Sequence, residues 1–245
     1  MNRWKNRVAL VTGASSGIGR AIAIELAKQG MIVVGVARRV DKLKDLKNLL
    51  EQYKFHYRQC DVTEENQVVE TINWIEETTG RGIDVLINNA GLGRLNTMLD
   101  GKTEDWKLIM KVNVIGVSIC AREAVKSMRR HQIDDGHIVY ISSLAAHRFG
   151  CLIGSSPMYR ASKHGVRAIA DCLRKELVAE KSKIRVTCVS PSYTRSEIFE
   201  GSGRTIPEEP ILEPEDIGDI VVNVLKVPPS VQISEVIVHP VGSCY

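Results

Sequence analysis

The 245 residues are 44% hydrophobic and 25% charged, enough for one large α/β domain to bury a full core without metals or disulfides. The formal charge of +4 is spread among interspersed acids and bases, and aromatics make up 5% of the chain, so neither a basic track for a nucleic-acid backbone nor a base-stacking platform is present. No apolar run approaches the roughly 18 residues of a membrane span, and the six cysteines lie far apart with no CxxC pair; the expectation is a cytoplasmic protein with reduced thiols, no metal and no leader.

In chain order, short β-branched runs alternate with stretches of helical period. Strands are predicted at 8–12, 31–36, 55–60, 83–87, 137–142, 184–189 and 235–238, with helices beginning near Gly17, Asp41, Glu64, Thr103, Pro157 and Pro214. This is the pattern of repeated βαβ units. It predicts a single-domain, doubly wound α/β Rossmann fold, with a seven-stranded, mostly parallel sheet and helices on both faces. Nothing between residues 1 and 245 marks a second domain. One irregular stretch, about 192–214, holds Gly201, Gly203, Pro207, Pro210 and Pro214 just beyond a strand's carboxyl end, where open α/β sheets bind ligands.

The first strand runs into Gly13-Ala14-Ser15-Ser16-Gly17-Ile18-Gly19 and then an Ala- and Ile-rich helix. Glycines let such a turn close and let backbone N–H groups approach a pyrophosphate, which a helix N-terminus favours. The spacing is GxxxGxG, not the GxGxxG of the general fingerprint, and its meaning comes from lying between the first strand and the first helix. The second strand ends in Ala37-Arg38-Arg39, where an NAD binder carries an acid for the ribose hydroxyls. Guanidinium groups suit a 2′-phosphate instead, so NADP(H) is the expected cofactor; the alternative is two solvated arginines opening a surface helix. Asp61 either accepts from the adenine amino group or merely opens the next helix.

Tyr159 and Lys163 are four apart in a helical pattern and share one face. An ammonium close to a phenol favours the phenolate and lowers its pKa from an ordinary value near 10, making Tyr159 a usable acid/base. Ser142 and Ser143 follow the fifth strand, where a hydroxyl can bond a substrate oxygen or simply form a turn. Asn113 interrupts the apolar helix 110–116, where an amide must be paired with a core partner or with a functional one.

Across nearly its whole length the sequence resembles the short-chain dehydrogenase/reductase family, through Thr12 to Gly19, Asn88-Asn89-Ala90-Gly91, Asn113, Ser143, Tyr159-Arg160-Ala161-Ser162-Lys163 and Ser190-Pro191. The resemblance implies that Tyr159 exchanges a proton with the substrate oxygen, Ser143 orients that oxygen, Lys163 holds the nicotinamide ribose and activates Tyr159, and Asn113 supports a water-linked proton path. Its implied cofactor contacts are Gly13, Ser15, Ser16, Gly17, Ile18, Gly19, Arg38, Arg39, Asp61, Val62, Asn89, Ala90, Gly91, Tyr159, Lys163, Pro191, Thr194 and Ser196. Two departures, Ser192 after the proline and Ala146 or His147 after the serine pair where the family commonly has Gly, bear on the substrate wall.

At a finer level Ala37-Arg38-Arg39, Asp134 to Ile138 and Ala146-His147-Arg148 are similar to the insect farnesol dehydrogenase branch and to the vertebrate member 11 branch, which acts on steroids and other carbonyls. The implied substrate is farnesol or a related terpenoid alcohol, ahead of a steroid or general carbonyl. Leu92, Leu95, Phe149, Leu152, Ile153, Tyr193, Ile198, Phe199 and Ile206 are candidates for an apolar wall, and Arg94, Arg148, Arg195 and Arg204 for recruiting an acid. A degenerate binding module would lack Tyr159, Lys163 or Ser143. Family habit implies a homodimer or homotetramer through the helices near Thr103 and Pro157.

Overall fold

The computed structural model describes residues 1–94, 97–147, 157–197 and 210–243. Seven strands, β1 (Val8–Thr12), β2 (Ile32–Ala37), β3 (Phe55–Gln59), β4 (Val85–Asn88), β5 (His137–Ile141), β6 (Arg185–Pro191) and β7 (Glu235–Val238), form one sheet in the order β3-β2-β1-β4-β5-β6-β7. Every pairing is parallel. The helices among the described residues are α1 (Gly17–Lys28), α2 (Val40–Leu49), α3 (Glu65–Thr79), α4 (Thr103–Met110), α5 (Val117–Arg130), α6 (Pro157–Ala179) and α7 (Pro214–Lys226).

Successive strand residues feed two different cores. Val8, Leu10, Val34, Leu86 and Ile138 pack with Ile72, Ala124 and Val166 of α3, α5 and α6. Their neighbours Ala9, Val11, Val33, Val85 and Val139 pack with Ile22, Leu43 and Val221 of α1, α2 and α7. A sheet covered on both faces therefore reads as continuous apolar runs instead of alternation. The chain winds outward from β1 to β3, then returns to place β4 on the other side of β1, so the crevice lies beyond the carboxyl ends of β1 and β4.

Element ends differ slightly from expectation, for local reasons. β4 starts at Val85 and not Ile83, whose N–H is taken by Ser127 Oγ at 3.2 Å. β6 extends to Pro191 because Pro191 still pairs with Val238. The larger difference is in the helix predicted from Thr103. Between α4 and α5 it runs as a π-helical stretch, Lys111–Gly116, with Asn113 inside it.

Candidate active site

One cavity of about 560 Å³ opens at the carboxyl edge of the sheet. Every residue nominated from the sequence for catalysis or cofactor contact lines it except Gly19 and Asn113.

At one end, Gly13 and Gly17 have φ of 68° and 53°, left-handed values that suit glycine. Ser16 begins α1 without a side-chain cap, so the first-turn N–H groups keep their partial positive charge beside the cavity. The Thr12 hydroxyl accepts the N–H of Asn89 and of Ala90, both at 3.0 Å. Asn89 Nδ2 donates back to the Thr12 carbonyl at 2.9 Å, so this side chain braces the glycine turn against β4.

Adjacent arginines do different things. Arg39 donates to Glu197 Oε2 at 2.6 Å, Ser15 Oγ at 2.9 Å and Ser16 Oγ at 2.7 Å. The exposed Arg38 guanidinium has no hydrogen-bond or ion-pair partner among the described residues. Asp61 Oδ1 accepts from Thr63 N and Oγ1 at 3.0 and 2.9 Å, shaping the turn into α3. The same side chain lines the cavity, so the helix-opening role does not remove it from the wall.

At the other end, Lys163 is 5% exposed; its Nζ lies 5.7 Å from the Tyr159 ring centroid and donates to the Ile141 carbonyl at 2.9 Å. The serine pair divides its labour. Ser142 Oγ donates to the Lys163 carbonyl at 3.2 Å, tying α6 to β5. Ser143 Oγ accepts from Ala145 N at 3.1 Å, capping a short 3-10 turn (Leu144–Ala146), and its own proton is uncommitted.

The buried amide of Asn113 is fully engaged. Its Nδ2 donates to the Leu92 carbonyl at 2.9 Å and Ser162 Oγ at 3.0 Å, while Oδ1 accepts from Leu92 N at 2.9 Å. Ser162 in turn donates to the Tyr159 carbonyl at 2.7 Å. The π-helical register is thus where α4–α5 grips both the loop at Leu92 beyond β4 and α6, and such stretches recur at functional sites. Sequence reasoning did not single out Ser162; a small hydroxyl three residues after Tyr159, able to bond back to its carbonyl, was the available signal. Glu197 had no signal at all.

Of the candidate apolar wall, Leu92 and Tyr193 line the cavity, joined by Leu144. Leu95, Phe149, Leu152, Ile153, Ile198, Phe199 and Ile206, with Arg148 and Arg204, lie outside the described residues. Arg94 pairs with Asp105 at 3.7 Å and Arg195 with Glu213 at 3.0 Å. The irregular stretch after β6 is closed at its base by a bridge between Thr194 and Leu212.

A parallel sheet whose switch-point crevice joins an anion-ready helix start to a Tyr–Lys pair places the molecule, as a class, among the α/β oxidoreductases. Comparison with known proteins is more specific: residues 7–206 match the short chain dehydrogenase family, and the chain belongs to it. It is 44% identical over 250 residues to the farnesol dehydrogenase of Aedes aegypti, covering 99% of both chains. It is 39% identical over 253 residues to dehydrogenase/reductase SDR family member 11 of Bos taurus, covering 98% of both. Among solved structures, an alcohol dehydrogenase from the archaeon Thermococcus sibiricus, complexed with 5-hydroxy-NADP, superposes with a TM-score of 0.85 at 29% identity, covering 97% of each chain. The molecule is an oxidoreductase of this family, and no described helix is long and apolar enough to cross a membrane.

Proposed function

We propose that the enzyme is NADP(H)-dependent and interconverts an apolar alcohol and its carbonyl, with a terpenoid alcohol such as farnesol as the favoured substrate. The observation that carries the reading is the meeting of two hydroxyl protons not spent on the fold, those of Ser143 and Tyr159, in a cavity whose far end holds the uncommitted Arg38 guanidinium. The residues fit the cofactor: the uncapped start of α1, the positive-φ glycines and the gap left by Gly91 form a backbone cradle that side chains would fill. Gly13, Ser15, Ser16, Gly17 and Ile18 would face the diphosphate, Arg38 the 2′-phosphate, Asp61, Val62, Asn89 and Ala90 the adenosine, and Pro191, Thr194 and Ser196 the nicotinamide.

When bound, the nicotinamide supplies or accepts the hydride. In the oxidation direction Tyr159 takes the hydroxyl proton of the substrate, and in reduction it returns one to the carbonyl oxygen. Ser143 holds that oxygen with its spare proton. The Lys163 ammonium stabilises negative charge developing on the phenol oxygen. Asn113 Oδ1 and Lys163 Nζ face the same glycine, lying 3.4 and 3.6 Å from where a Gly91 Cβ would be, and a water of a proton path would need both as partners.

The described wall supports an apolar substrate, since Leu92, Leu144 and Tyr193 line the cavity while Arg94 and Arg195 are engaged by acids of this chain. The 44% identity to a farnesol dehydrogenase favours a terpenoid; the relative named member 11 keeps a steroid or general carbonyl as the second reading. The test is kcat/KM for geraniol, farnesol, a hydroxysteroid, a short alcohol and a hydroxy acid. A best rate on either of the last two refutes the apolar pocket. Near-normal turnover in Tyr159→Phe refutes the acid/base assignment.

A further inference from the structure

Beyond the groups just described, an ionisable cluster behind the cavity centres on Glu235, the first residue of β7. Its carboxylate receives Arg167 as a fork, Nε to Oε1 at 3.1 Å and Nη2 to Oε2 at 3.2 Å. It also binds His147 Nε2 at 2.7 Å and the Ser190 hydroxyl at 3.0 Å. Burial opposes its ionisation, but the bonds from Arg167 and Ser190 outweigh burial and hold the carboxyl below the usual carboxylate range. Ser190, His147 and Glu235 are not a nucleophilic relay. Ser190 is fully buried, and one nitrogen, His147 Nε2, faces both the Ser190 and the Glu235 oxygens, leaving no base between them.

What the cluster grips is the segment carrying Ser143. Arg167 lies one turn beyond Lys163 on the α6 face that bears Tyr159, and its Nη1 donates to the Ala146 carbonyl at 2.9 Å. The stretch 141–147 is therefore anchored to α6 near both ends, by Lys163 on the Ile141 carbonyl and by Arg167 on the Ala146 carbonyl. His147 adds an anchor to β7 through Glu235. Ser143 sits between these anchors, and this carboxylate links β7 to their far end.

We propose that Glu235 is a positioning residue for the reaction: by holding Arg167 and His147 it sets the turn that carries Ser143, and with it the placement of the Ser143 hydroxyl relative to Tyr159. The proposal rests on the reading of Ser143 given above. A misplacement of about 1 Å at a reacting centre is enough for roughly 100-fold in rate.

The experiment uses the full-length chain, with Glu235→Ala and Glu235→Gln made in the parent and Ser143→Ala backgrounds. Deuterium exchange of 141–147, the NADP(H) Kd, kcat and KM are measured for each. Expected for Glu235→Ala are faster exchange in 141–147, a cofactor Kd within about twofold of the parent, and a kcat loss of roughly 10- to 100-fold that vanishes in the Ser143→Ala background. Glu235→Gln, which still accepts from His147 and Ser190, should recover most of the loss; if Glu235→Ala does not fold, Gln and Arg167→Lys give the same comparison with smaller losses. Unchanged exchange in 141–147 overturns the clamp, and equal losses in both backgrounds overturn the route through Ser143. Full activity in Ser143→Ala alone overturns the reading of that serine while the exchange result still judges the clamp.

Discussion

Replacing Arg38 with Ala tests cofactor selection at one side chain. The Arg38 guanidinium is exposed at the end of β2 with no partner among the described residues, whereas Arg39 is already committed to Ser15, Ser16 and Glu197. A charge-assisted bond is worth about 1.5–3 kcal/mol. Exposure and salt place this one at the low end, so NADP(H) affinity should fall roughly tenfold while NAD(H) affinity stays put. Arg38→Asp should fall further, because a carboxylate repels the phosphate and accepts from the free ribose hydroxyls instead. Arg39→Ala should weaken both cofactors alike, since the serines it releases belong to the turn both would use. The assay is calorimetric titration of each cofactor at two ionic strengths. An unaltered NADP(H)-to-NAD(H) ratio in Arg38→Ala, together with a changed ratio in Arg39→Ala, would refute the reasoning and move selectivity to Arg39.

Two further predictions follow from packing and burial. A Cβ on Gly19 would fall 2.4 Å from both the Gly13 carbonyl oxygen and Asn89 Nδ2. Gly19→Ala should therefore lose about 1–3 kcal/mol of stability and most cofactor binding; a variant that binds like the parent would show that the turn does not need this contact. His137 is held neutral: burial, with a smaller push from Arg3, takes its pKa down to about 3 from 6.5, and its Nε2 lies 2.8 Å from Thr187 Oγ1. Above pH 6.5 both folded and unfolded chains carry it neutral; below that only the unfolded chain gains the proton, so stability falls with falling pH by about 1.4 kcal/mol per unit. At pH 5 the loss is about 2 kcal/mol, and His137→Gln should flatten the urea midpoint between pH 6.5 and 5 relative to the parent. An identical slope would contradict the burial account.

The sheet and the cavity wall were legible because they are written in local patterns. Apolar runs at strand length, helical periods between them and a glycine turn after β1 each need only a few neighbouring residues. What was not legible depends on partners distant in sequence. Nothing local separates Arg38 from Arg39; Ser15 and Ser16 of the glycine turn, with Glu197 brought over from beyond β6, commit one of them. Ser142 and Ser143 are likewise alike until α6 is packed on β5 and the Lys163 carbonyl claims the first. The π-helical stretch at 111–116 escaped because a slip of one residue leaves the apolar period nearly intact. Its cause is tertiary, the demand of Leu92 and Ser162 for the Asn113 amide.

Hydrogen-bond commitment separates scaffold from chemistry around this cavity. Thr12 accepts two N–H groups and donates to the Ile87 carbonyl, Asn113 uses both amide hydrogens, and Ser142 and Ser162 each donate to an α6 carbonyl. Removing any of them orphans a buried group, so its loss should appear in stability as well as activity. The Ser143 proton and the Tyr159 hydroxyl are not spent on the fold, and both border the cavity. A polar group left uncommitted at a partly desolvated wall awaits water or a ligand, and the fold loses little when it is removed. Tyr159→Phe should therefore leave thermal stability nearly unchanged while activity collapses, and Ser143→Ala should lose only its cap on Ala145 N, about 0.5–2 kcal/mol, a split that scaffold variants such as Thr12→Val cannot reproduce.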